Sequence, residues 1–166
     1  MLRNEIMKKD IFIDNNIAGK FANPQDAEYI RLTEWLMHYD VSKDSENKDE
    51  YAHLVVSNKL LKEYYRSSMS AQSDTTISVI IDKLTREGRL IIIRNDRIKE
   101  FKDKHYTKAV ERKLHCNNED REHLPLVFLS DRKYALSYDG NFIYDLEYFP
   151  GFRVLVKKRP EELPYL

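Results

Sequence analysis

The chain of 166 residues has a single cysteine, Cys116, so no internal disulfide can form and a reducing compartment, the cytoplasm, is the expected home. Long apolar runs are missing as well. Those present are short and strand-like, as at residues 90–93, far below the roughly 18 consecutive apolar residues that a membrane span requires. The first residues carry no apolar run of the kind a signal peptide needs. A soluble protein with no membrane partner is expected. Charge of one sign is not in excess, because 28 Lys+Arg stand against 28 Asp+Glu. Bulk charge therefore selects no polyanion, and any nucleic-acid surface has to be built from local clusters. Internal repeats and low-complexity segments are absent.

What is present suffices for a single domain over residues 1–166 with its own core. Ile11-Phe12-Ile13 is a β-favouring run that stops at the turn-forming Asp14-Asn15-Asn16, which predicts a buried strand ending in Asp14. Asn23 as a cap and Pro24 in a first turn predict a helix over residues 24–39, with Ala27, Ile30 and Trp35 on its apolar face. Residues 40–51 are polar and aperiodic, as in a flexible surface loop. Residues 53–56 form the second expected strand. Ser57 then caps a helix carrying Leu60, Leu61, Tyr64 and Tyr65, with Glu63 in its second turn.

After a Ser-rich stretch over 67–73, Asp74 is expected to open a helix with Ile77, Ile80, Ile81 and Leu84, stopped by Gly88. Residues 90–93, wholly apolar, predict a third strand covered on both faces. Helical spacing from Ile98 through Leu114 predicts a helix ending near Asn117 and Asn118. Asp120 heads a further helical segment with Leu124, Val127 and Phe128, and residues 134–137 form a fourth strand just before Asp139. Residues 141–166 make a C-terminal extension in which Pro150-Gly151 marks a turn and residues 152–156 alternate like a last strand.

Strands alternating with helices predict an α/β fold, a mainly parallel open sheet of four to five strands with helices on both faces. Ligands in such sheets bind beyond the C-terminal strand ends. Asp14 and Asp139 fall at such ends, while Glu63 and Asp120 lie in helices that begin there, so four acids can meet in one cleft. Carboxylates held together repel one another and must take up protons unless a cation neutralises them. Mg²⁺ or Mn²⁺ suits hard oxygen ligands, and in phosphodiester cleavage such ions activate water and stabilise charge at phosphorus.

The order of these motifs resembles the PIN domain, a metal-dependent ribonuclease fold, over most of the chain. The first motif, a hydrophobic strand and Asp-x-Asn, stands as Ile11-Phe12-Ile13-Asp14-Asn15-Asn16; the second, a strand leading to a helix with an inward Glu, runs from Val55-Val56-Ser57 to Glu63-Tyr64. The third is Asp120-Arg121-Glu122-His123-Leu124, and the fourth Ser137-Tyr138-Asp139. The resemblance implies that Asp14, Glu63, Asp120 and Asp139 bind the metal and carry catalysis. It also implies that Asn16, Ser137 and Asn141 orient ligands, water or substrate around them. RNA is then the substrate, and a protein antitoxin or a second copy of the chain is an implied partner, because many compact bacterial members are toxins of toxin–antitoxin pairs. The family is often rich in small residues after the third acid, whereas this chain has Leu124-Pro125-Leu126, and Pro125 is expected to distort the helix start.

Each acid also has a plain structural account. Asp14 suits a turn, Glu63 a solvated helix face, Asp120 a helix N-cap, and Asp139 a turn with Gly140 and Asn141. Asp131, Asp145 and Glu147 are expected at the surface, Cys116 in a structural role, and His123 as a packed, hydrogen-bonded residue. Basic side chains such as Lys20, Lys59, Lys62, Arg66, Arg94, Arg97, Lys133 and Lys157-Lys158-Arg159 suit either phosphate contacts or a solvated charged face. The 11 Tyr and 7 Phe suit core packing or base stacking. Two other functions stay open: a PIN-like module that binds RNA or protein without catalysis, and an α/β phosphatase or phosphotransfer receiver. A phosphatase would want Asp-x-Asp where Asp14-Asn15-Asn16 stands, and a receiver an acid pair beside the first strand.

Overall fold

The apolar runs of the sequence become the strands of an α/β fold. The computed structural model describes residues 7–43, 47–69 and 73–166. Strands β1 (Lys9–Ile13) and β2 (Ala52–Val56) are almost wholly buried, which matches continuous apolar runs rather than alternation. With β3 (Leu90–Ile92), β4 (Tyr134–Leu136) and β5 (Leu155–Lys157) they form an all-parallel open sheet in the order β3-β2-β1-β4-β5. The chain thus runs outward from β1 through β2 to β3, then returns to the other side of β1 for β4 and β5. That reversal opens a crevice between the C-terminal ends of β1 and β4. Pairing of Ile13 with Leu136 makes Asp14 and Ser137 the next residues out, and the Asp14 N–H donates to the Leu136 carbonyl at 2.9 Å.

Helices flank the sheet. Besides the short α1 (Asn15–Ala18), α2 (Ala27–Met37) packs on β2 and on α4 (Ile77–Arg86), and α3 (Asn58–Ser68) touches α1 and α4. The connection from β3 to β4 carries α5 (Asn95–His105), α6 (Lys108–Glu111), α7 (Asn118–Arg121) and α8 (Leu124–Phe128), and that from β4 to β5 carries α9 (Gly140–Tyr148). Of these, α8 packs on β1 and β2 and against α5 and α9. Phe101, Phe128, Phe149 and Phe152 interlock beneath this layer, with ring centroids 4.6 Å apart for Phe128 and Phe152. Among the described residues no helix is long and apolar enough to cross a membrane.

Several local expectations are corrected by the fold. Asn23 adopts φ 50° and cannot cap a helix; Asp26 does so, accepting from the Glu28 N–H at 2.9 Å, so α2 starts at Ala27. The helix expected from Asp74 begins after Thr76, whose hydroxyl accepts from the Val79 N–H. β3 is an edge strand with Ile92 46% exposed, not a strand covered on both faces. Its apolar run reflects pairing at an edge, which local pattern does not distinguish from burial. The helix expected over 98–114 breaks at Tyr106, and Thr107 caps the new start.

The segment after Asp120 is two short helices, and Pro125 lies in the first turn of α8, where its missing N–H costs no hydrogen bond. Residues 141–166 supply α9 and β5, the latter at 155–157 instead of 152–156, and end with Leu163 and Tyr165 in the core. Tyr165 lies against Trp35, and its carbonyl accepts from Arg132 at 2.9 Å. In the polar segment 40–51, Val41–Lys43 and Lys48–Glu50 form 3₁₀ turns; residues 44–46, and 70–72 of the Ser-rich stretch, lie outside the described residues.

The opposite, N-terminal edge of the sheet is tied by Arg89, a fully buried cation. Its guanidinium donates to the Leu36 carbonyl at the end of α2 (2.9 Å), to the Ala52 carbonyl at the start of β2 (2.8 Å), and to Glu87 (2.6 Å). Partial burial alone would raise the Glu87 carboxyl, but hydrogen bonds from Lys83 and Arg89 hold it below its ordinary range.

Candidate functional site

Asp14 stands where β1 runs out and serves as the N-cap of α1. One carboxylate oxygen accepts from the Asn15 N–H at 2.8 Å; the other accepts from the Ser137 hydroxyl at 2.6 Å and from the Asn16 amide at 3.4 Å. Ser137, fully buried at the end of β4, has a single hydroxyl proton and gives it to Asp14. The same oxygen then accepts from the Asp139 N–H at 3.1 Å. Asn16 makes a parallel bridge, its side-chain oxygen accepting from the Tyr138 N–H at 3.2 Å. Neighbouring strand ends are therefore stitched so that Asp14 and Asp139 face one crevice. Asp139 caps α9 with one oxygen, accepting from Asn141 N–H at 2.9 Å and Phe142 N–H at 3.3 Å.

Glu63 reaches the site from α3, whose next residue, Tyr64, is fully buried and donates its hydroxyl to the Ile13 carbonyl beside Asp14. Glu63 itself is paired. His123 Nε2 lies 3.0 Å from both of its oxygens, so the imidazole donates from Nε2, and its Nδ1 is buried without a hydrogen-bond partner among the described residues. Partial burial raises the Glu63 carboxyl, but the His123 hydrogen bond, with the charges of His123, Lys59 and Arg66, brings it below its ordinary range.

Asp120 is not a helix cap. Asn117 fills that role, accepting from the Asp120 N–H at 2.8 Å. Among the described residues no hydrogen bond or ion pair engages the Asp120 carboxylate, and it is raised above its ordinary range by burial, then by the charges of Asp14 and Asp139. Burial is also the largest influence raising Asp14, with Asp139 adding repulsion and Ser137, Asn15 and His123 opposing it. The four acids thus come from four separate elements into one electrostatic environment.

They are not closed into a cage. Among the described residues no three His, Cys, Asp or Glu side chains are gathered so as to hold a metal ion as they stand. The physical reason is visible in their partners: Glu63 is drawn to His123, Asp139 to helix N–H groups, and unscreened carboxylates spread apart. The donor set nevertheless suits a hard divalent cation. It consists of carboxylate oxygens, and two of the acids are held above their ordinary range, the direction that a cation between them reverses.

Of the other residues singled out by sequence, Asn141 is exposed and, among the described residues, meets this cluster through its backbone N–H. Lys59 donates to the Glu119 carbonyl at 3.1 Å, tying α3 to α7 beside the acids. His123 is a packed, hydrogen-bonded residue as expected, yet its partner is a site acid, which the Asp120-x-x-His123 spacing alone did not reveal. Asp145, expected at the surface, is buried and accepts the His115 N–H at 2.8 Å and the Cys116 N–H at 2.8 Å. Cys116 is buried, and burial, with Asp145 beside it, keeps its thiol protonated, in line with a structural role. Comparison with protein-family models and with curated proteins finds no match for this chain, so the functional reading rests on the site.

Proposed function

We propose that the chain is a metal-dependent ribonuclease similar to PIN-domain enzymes, hydrolysing RNA phosphodiester bonds with Asp14, Glu63, Asp120 and Asp139 around Mg²⁺ or Mn²⁺. One observation supports this reading: acids from four separate elements interact electrostatically near the point where the strand order reverses, and Asp14 and Asp120 are held above their ordinary range. A bound ion would supply charge stabilisation for the phosphate and activation of the attacking water. The chain's own groups set the geometry. Ser137 and Asn16 lock the Asp14 carboxylate, Asp139 is fixed by its helix cap, and Asp120 is left free to turn toward a ligand. His123 holds Glu63 ionised at the rim.

Incubating structured and single-stranded RNA with the protein in Mg²⁺, Mn²⁺ or EDTA tests the proposal directly. Cleavage is expected with either ion and not with EDTA, and Asp14→Asn is expected to abolish it while circular dichroism stays unchanged. Full activity of Asp14→Asn in a clean preparation would overturn the assignment. Ser137→Ala is expected to lower cleavage by about 10- to 100-fold and to raise the Mg²⁺ concentration needed, because Asp14 loses its orienting donor. An unchanged Mg²⁺ dependence would remove Ser137 from the site.

A second reading, an RNA- or protein-binding module without catalysis, draws on the Glu63–His123 pairing, which occupies one acid. Titration with Mn²⁺, followed by broadening of NMR signals from residues around Asp14 and Asp120, separates the two; no broadening at millimolar Mn²⁺ favours the module. A role as the toxin of a toxin–antitoxin pair extends the proposal by analogy of fold alone.

A further inference from the structure

Away from the acids, α9 carries an aromatic ladder that neither the core nor the acid cluster uses. His115 stacks on Tyr144 with centroids 4.2 Å apart and planes 11° from parallel, and Tyr144 continues to Tyr148 at 4.4 Å and 30°. The middle ring, Tyr144, is 40% exposed, and the terminal ring, Tyr148, is 69% exposed. Beside them lies a cavity of about 420 Å³ lined by Val110, Lys113, Leu114, Tyr148 and Pro150, a size in the usual range for small-ligand sites.

The ladder is held from below. The buried Asp145 carboxylate accepts the backbone N–H groups of His115 and Cys116, which fixes the loop that presents the His115 ring. Charge is supplied alongside: among the described residues, the side chains of Lys108, Arg112 and Lys113 are engaged in no hydrogen bond or ion pair, and all three are exposed. Stacked open rings beside exposed cations that are held in no ion pair, with Glu111 and Glu147 among them, match the chemistry of single-stranded nucleic acid, with π-faces for bases and positive charge for phosphates.

Position links this surface to the acids. Tyr144 and Tyr148 lie four residues apart on one face of α9, about 7.5 and 13.5 Å along the axis from Asp139, which caps that helix. On the other side, Asn117 follows two residues after His115 and caps α7, which carries Asp120. We infer that the His115–Tyr144–Tyr148 ladder is a stacking platform for an unpaired base of an RNA strand, with Lys113 and its neighbours contacting the phosphates. The choice of RNA rests on the proposed ribonuclease function; the stacking geometry does not.

The test uses the full chain carrying Asp14→Asn, in EDTA, with fluorescently labelled oligonucleotides read by anisotropy. Single-stranded RNA is expected to bind more tightly than a duplex of equal length. Tyr148→Ala is expected to weaken single-strand binding roughly tenfold or more, and Tyr148→Phe to retain it, since the ring and not the hydroxyl stacks. Because Tyr148 is exposed, its truncation leaves the core intact. Equal affinity of Tyr148→Ala, preference for duplex, or no binding of any oligonucleotide would each overturn the inference. Tyr148-dependent binding beside a wild-type chain that cleaves nothing in Mg²⁺ or Mn²⁺ would sink the ribonuclease reading and leave the platform standing; wild-type cleavage with binding indifferent to Tyr148 would do the reverse.

Discussion

Asp120→Asn is expected to raise the melting temperature of the metal-free protein at neutral pH while lowering RNA cleavage by at least roughly 10²-fold. The folded-state pKa of Asp120 lies above its ordinary value of 3.8, first through burial and then through the charges of Asp14 and Asp139. A carboxyl raised in this way favours the folded state fully only below its unfolded value. That contribution is lost as pH rises through the folded value, so at neutral pH the charge is a net cost. Asparagine removes the charge and keeps the shape. The carboxylate is partly solvated, so screening holds the gain to about 2 °C for a chain of this size.

Adding Mg²⁺ should then stabilise the wild type more than the variant, because an ion that binds only the folded state shifts the melting point by mass action. A lower metal-free melting temperature for Asp120→Asn would contradict the repulsion account. Undiminished cleavage would remove Asp120 from the catalytic set. The two outcomes are independent, since one reads electrostatics in the empty site and the other reads chemistry.

Arg89→Met is expected to cost about 3–5 kcal/mol, a fall in melting temperature on the order of 10 °C, with little change in the acid site. Methionine fills the space but donates nothing, which strands the Leu36 and Ala52 carbonyls and leaves Glu87 with Lys83 alone of its two cationic partners. Glu87 is held below its ordinary range, so its contribution is present above the unfolded value and is lost as pH falls through the folded value. The variant should therefore lose part of the wild type's stability advantage at neutral pH relative to acid pH. Thermal melts at pH 7 and pH 3 measure this. A melting temperature at pH 7 within about 2 °C of the wild type would show that the guanidinium does not tie α2, β2 and β3 together.

These two residues mark the range of what local sequence reveals. The short apolar runs before Asp14 and around residues 53–56 are recognisable because strands buried on both faces have no polar period, and Ser57 identifies the start of α3 because an N-cap is a local hydrogen bond. Nothing local shows that Arg89 is buried. Its partners at positions 36 and 52 are 53 and 37 residues away, and an arginine after Gly88 resembles any surface turn. The burial of Asp145 escapes local reading for the same reason, since its donors lie in the loop at 115 and 116.

Within the site the division is sharper. Asp14, Ser137 and Asp139 were legible because strand ends are local, and parallel register then fixed their neighbours. For Asp120 the sequence left a metal ligand and a helix cap both open, and the structure removes the cap, because Asn117 takes it and leaves the Asp120 carboxylate free of it. By itself the sequence determined the alternation of strands and helices, hence a parallel sheet, and put acids at its strand ends. Only the tertiary structure decided the strand order that brings β1 and β4 together, the edge position of β3, and the pairing of Glu63 with His123 across 60 residues. Hydrophobic pattern specifies which face is buried, whereas strand order and long-range partners depend on crossovers and side-chain contacts that no local window contains.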